Sequence, residues 1–184
     1  MIAELAELHR QFAAAKADAA DLAAGLKGTQ FNWRPAPQSW SIAECLLHLN
    51  MAGHQYVRIL EAVLPNARAR GLIGEGPFGY GLFGKWILAN TEPPPKRKFK
   101  TARSLQPPDD QPITAVLPTF LHLQDQLTQQ LTEANGIDLA RVKVPAPMGP
   151  LRFNLHLTFA WIAAHERRHL WQARQVRNHA GFPA

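Results

Sequence analysis

At 184 residues, with 46% hydrophobic and 18% charged positions, the chain excludes a disordered polymer and defaults to one globular domain over 1–184 with a real hydrophobic core. A single cysteine, Cys45, excludes an internal disulfide and makes the cytoplasm the expected compartment, and no apolar run approaches the roughly 20 residues of a membrane span. The net charge of +6 invites an anionic partner, but apart from Lys96-Arg97-Lys98 with Lys100 the basic residues are scattered, so nucleic acid is not the expected partner.

Residues 2–26 place Leu5, Leu8, Phe12, Ala15, Ala19, Leu22 and Leu26 at threes and fours, which predicts a first amphipathic helix. Gly25 and Gly28 stop it, and Pro35 and Pro37 prevent its continuation. Ser41 followed by Glu44 has the form of a capping box and predicts the start of a second helix, whose apolar face runs through Ile42, Leu46, Leu49, Tyr56 and Leu60 to Val63, with Pro65 as its expected end. His48 lies at the margin of that face, one turn from Glu44. Residues 66–111 hold many glycines and prolines, and only 82–90 can form a short helix. A connection this long predicts a crossover partly covering a cleft, with Phe78, Tyr80, Phe83 and Trp86 as a local mini-core. A third helix is predicted over 112–134, with Pro118 placing its true start nearer Leu117. Residues 137–153 are irregular, with one extended piece at 141–144, and a fourth helix spans 154–178. Four long amphipathic helices with one long crossover between helices two and three predict an all-α four-helix bundle.

The fourth helix carries Thr158, Trp161, Ile162, His165, His169, Gln172 and Val176 on one face, with Arg167, Arg174 and Arg177 on the far side. Histidines four residues apart on a helix lie about 40° apart around the axis with Cβ atoms about 5–6 Å apart, so both imidazoles can reach one ion. A zinc, nickel or other divalent site with an open position commonly takes three protein ligands. His165 and His169 supply two, and His48 is the best candidate for the third. Glu44 can orient His48, join the ligands or serve the cap, and the cap is the expected role. The competing reading is a histidine pair with no metal.

His165-Glu166-Arg167-Arg168-His169 also has the form H-E-x-x-H of zinc proteases, in which Glu166 would act as general base. Nothing acidic follows His169, Gln172 and Gln175 stand where a glycine and histidine would extend the motif, and no supporting sheet is predicted. The protease reading is therefore set aside, and Glu166 stays a candidate catalytic residue beside the pocket residue Gln172.

The stretch Trp40-Ser41-Ile42-Ala43-Glu44-Cys45-Leu46-Leu47-His48-Leu49, followed more than a hundred residues later by His165-x-x-x-His169-x-x-Gln172, resembles the DinB-like (YfiT-like) superfamily over nearly the whole chain. The resemblance implies an up-down-down-up bundle, a divalent metal on His48, His165 and His169, and a homodimer. It also implies chemistry on a small-molecule substrate. Relatives include transferases and isomerases that use a low-molecular-weight thiol, and others regarded as metal-dependent hydrolases. The expected function is thus a metal-dependent S-transferase or hydrolase, and the alternative is a non-catalytic metal- or ligand-binding protein linked to stress.

Overall fold

The computed structural model describes residues 1–95, 101–146 and 150–184, so the basic cluster Lys96-Arg97-Lys98 with Lys100, and also Pro147 and Gly149, lie outside the described residues. The periodic apolar residues of the first segment form α1 (Ala3–Ala23) and bury Leu5, Leu8, Phe12, Ala15, Ala19 and Leu22 along one stripe. A single helical turn not expected from the glycines, α2 (Gly28–Phe31), follows and seats Phe31 in the core. Ser41 caps α3 (Ile42–Ala69): its Oγ accepts from the Glu44 N–H at 3.2 Å, and Glu44 Oε2 accepts from the Ser41 N–H at 2.9 Å. This helix runs past Pro65 rather than ending there. Pro65 and Glu61 both face solvent, where a carbonyl left without its N–H partner is hydrated, while Leu64 and Ala67 on the inner face are buried.

The crossover carries α4 (Gly81–Thr91) and a 3₁₀ turn at Arg103–Leu105. Its aromatic residues divide. Tyr80 packs on a small cluster of Ile87, Phe153 and Leu157, whereas Phe83 and Trp86 stack on each other at 6.2 Å and are exposed. α5 (Ile113–Ala134) begins at Ile113 with Pro118 inside it, not at Leu117. The Pro118 position again falls on the exposed side, and Val116 and Phe120 on either side of it are buried, so core packing outweighs the lost hydrogen bond. The extended piece is real but short: β1 (Lys143–Pro145) pairs antiparallel with β2 (Arg152–Asn154), Val144 opposite Phe153. Asn154 then caps α6 (Leu155–Arg177) by accepting the Leu157 N–H at 2.7 Å.

The protein is mainly helical with one small sheet. Among the long helices, α1 and α3 each pack against both α5 and α6. Phe12, Phe31, Phe120 and Phe159 are fully buried between them, each contributing about 1.5–3 kcal/mol of transfer free energy. The arginine side of α6 meets α1 rather than open water: Arg174 pairs with Asp18 and Asp21, and Arg177 donates to the carbonyls of Asp21 and Leu22. No helix of the described residues is long and apolar enough to cross a membrane.

Candidate metal centre

α3 brings His48 and α6 brings His165 and His169 to one place. One ligand nitrogen from each lies within 4.8 Å of the other two, and His48 and His169 are buried. The Nε2 atoms of His48 and His165 are 3.2 Å apart. Ligands on a tetrahedral ion at 2.0–2.1 Å stand about 3.3 Å from one another, so this separation fits a shared ion.

The outer nitrogens fix which atoms face inward. His48 Nδ1 donates to the Leu105 carbonyl at 2.9 Å, and His169 Nδ1 donates to Gln172 Oε1 at 3.0 Å. With those protons committed outward, both rings present an Nε2 lone pair to the centre. Aromatic rings hold the planes. Trp161 stacks on His165 with centroids 4.7 Å apart, and Trp40 lies 5.0 Å from His48 and 5.6 Å from His169. Burial pushes all three imidazoles down from their usual pKa of 6.5, His165 far below it and His169 to about 3, with neighbouring imidazoles reinforcing the shift in His165 and His169. Three neutral, converging, oriented nitrogens are the donor set a borderline divalent ion such as zinc or nickel requires.

Gln172 therefore touches the site through His169. Glu166 faces the protein interior, 2% exposed, where its Oε1 accepts from Gln124 Nε2 at 2.8 Å; burial pushes its carboxyl up to about 8. Glu44 stays in the cap, held by Arg34 through two hydrogen bonds of 2.6 and 2.7 Å. The partner of His48 is instead the Leu105 carbonyl, which no residue-type pattern announces. Gln124 did leave a signal, since it sits four residues from Phe120 and three from Leu127 on the buried stripe of α5.

A mainly helical protein with three imidazoles converging from two helices, two of them buried, belongs to the class of proteins able to hold a divalent metal. The family model of the DinB superfamily matches residues 11–173, and the chain belongs to that superfamily. No curated protein and no solved structure matches it.

Proposed function

We propose that the protein is a divalent-metal-dependent enzyme acting on a small molecule, most simply an S-transferase that uses a low-molecular-weight thiol. The observation that carries this reading is the convergence of His48, His165 and His169 as neutral ligands, with His48 and His169 each oriented through Nδ1. Held there, a zinc or nickel ion supplies a Lewis acid that lowers the pKa of a thiol or of water. The chain's own residues orient the ligands: the Leu105 carbonyl sets His48, Gln172 sets His169, and Trp40 and Trp161 fix the ring planes. Thiol transfer fits better than hydrolysis because Glu166, the carboxylate that would serve water as a base, is hydrogen-bonded to Gln124 in the interior. In this reading Glu166 is a packing partner of α5, and Gln172 is a positioning residue.

The packing of α1 and α3 against α5 and α6 supports the up-down-down-up bundle as its frame. A homodimer is part of the same proposal, and exposed Leu82, Phe83 and Trp86 on α4 supply an apolar face for it.

The decisive variant is His165→Ala. Purified wild-type protein is expected to carry one divalent ion per chain by elemental analysis and to consume thiol in the presence of an electrophile panel, and His165→Ala is expected to do neither. Equal metal in the two proteins overturns the site. Metal with hydrolysis of esters but no thiol consumption moves the assignment to a hydrolase, and metal with neither activity moves it to a binding protein.

A further inference from the structure

Between α1, the crossover and α6 lies a groove of about 630 Å³ that the metal chemistry does not use. His156, at its floor, is nine residues before His165, which is about 180° around the helix and about 13 Å along it, so the groove opens on the side of α6 away from the metal centre. His156 is 6% exposed, and its Nδ1 is buried with no hydrogen-bond partner among the described residues. A buried imidazole nitrogen left unpaired is destabilising unless something bonds it. Burial keeps this ring neutral, against the opposing pull of Glu4 and of the Phe78 carbonyl. In the Nε2–H tautomer its Nδ1 offers a lone pair to a donor.

The surroundings decide the donor. Tyr80 lies 4.5 Å from the His156 ring, and Phe78 completes an aromatic wall. Glu4 stands close enough for its charge to be felt by His156. Its Oε1 accepts the Phe78 N–H at 2.8 Å, which keeps the carboxylate ionised. Of the two basic residues of the lining, Arg167 is already engaged by Glu92 and by Gln11, and Lys85 is exposed at the rim. An anion therefore finds no unengaged cation at the floor. A metal is disfavoured too, because the three-histidine cluster is the one group of suitable geometry among the described residues.

We propose that this groove is a second binding site, for a small protonated amine with an aromatic or apolar body: the ammonium group donates to the Glu4 carboxylate and to His156 Nδ1, and the body lies against Phe78 and Tyr80. A carboxylate and aromatic faces both favour an ammonium group, and a neutral imidazole supplies the second acceptor. The site does not depend on which reaction the metal centre performs.

Calorimetric titration of the metal-loaded protein with phenethylamine, 2-phenylethanol and 3-phenylpropanoate tests it. Phenethylamine is expected to bind at least about tenfold more tightly than either of the others, the loss expected when a charge-assisted hydrogen bond is missing. Glu4→Gln keeps an acceptor for the Phe78 N–H but removes the charge, and is expected to weaken phenethylamine by about tenfold while leaving metal content unchanged. His156→Phe is expected to weaken it similarly, and Glu4→Gln keeps the test decisive if that variant does not fold. Equal binding of the amine and the alcohol, preference for the carboxylate, no binding of the amine, or wild-type affinity in Glu4→Gln overturns the proposal.

Discussion

His48 and His169 differ from His54 less in their chemistry than in what their Nδ1 touches. His54 Nδ1 bonds the carbonyl of Asn50 on its own helix, a local contact that points to no ligand. His48 and His169 reach the Leu105 carbonyl and Gln172, and the Nε2 atom of His48 is thereby aimed at that of His165. Outer partners of this type are worth about 10- to 100-fold in metal affinity. Gln172→Ala is therefore expected to weaken zinc or nickel by about that factor in a chelator competition, and Gln172→Glu, which retains an acceptor for Nδ1–H, to recover most of it. That His165, His169 and Gln172 share one face was legible from the sequence, because helical spacing alone puts them there. The setting of Glu166 was not. It follows His165 directly and so points about 100° away around the helix, and only the position of α5 and Gln124 decides what it meets there.

At the scale of elements, the site depends on how closely α3 and α6 are held by the helices around them. Gly53 on α3 marks one such approach: a Cβ there would come within 2.4 Å of Leu123 Cδ2, and Leu123 is fully buried on α5. The residue gains helix propensity as alanine, about 1 kcal/mol, but the clash in a packed interior costs about 1–3 kcal/mol. Gly53→Ala is expected to destabilise the protein by up to about 2 kcal/mol in urea denaturation, with a weaker metal site because His48 lies on the same helix. The helix-start signals were readable at this scale. Ser41 and Glu44 act locally, within one turn of the helix they begin, and the cap they form matches their pattern. The two prolines were misleading for the opposite reason: whether Pro65 or Pro118 ends a helix depends on whether solvent or core faces the broken hydrogen bond, which is a tertiary property.

For the whole molecule, the neutral histidines of the metal centre couple stability to pH. Their folded pKa values lie below the unfolded 6.5, so in metal-free protein the unfolded chain binds more protons once pH falls below 6.5. Their contribution is intact above 6.5 and is lost toward acid, with a slope of about 1.4 kcal/mol per pH unit for each fully neutral ring. Glu166 works in the opposite direction: its folded value of about 8 exceeds the unfolded 4.5, so its contribution is present below 4.5 and is lost as pH rises toward 8. The urea midpoint of the metal-free protein is expected to fall between pH 6.5 and 5. Saturating zinc is expected to raise the midpoint at neutral pH, since a ligand that binds only the folded state stabilises it by mass action. At pH 7.5 Glu166→Gln is expected to be more stable than the wild type by about 1–3 kcal/mol, because the cost of the buried carboxyl is removed. The proposed dimer is checked at this scale by sedimentation, in which Trp86→Glu is expected to shift a dimer to monomer by placing a charge on the exposed face of α4.

What the sequence by itself determined is the helical periodicity, the Ser41–Glu44 cap and the histidine spacing. Each of these is written within a few turns of one helix, where the 3.6-residue repeat converts sequence distance into position on a face. Only the tertiary structure decided that the Leu105 carbonyl of the crossover orients His48, that Glu166 meets Gln124, and that His156 floors a separate groove with Glu4 and Tyr80. The physical reason is that these contacts join residues far apart in the chain, so their partners are set by how whole helices and the crossover pack rather than by any local pattern.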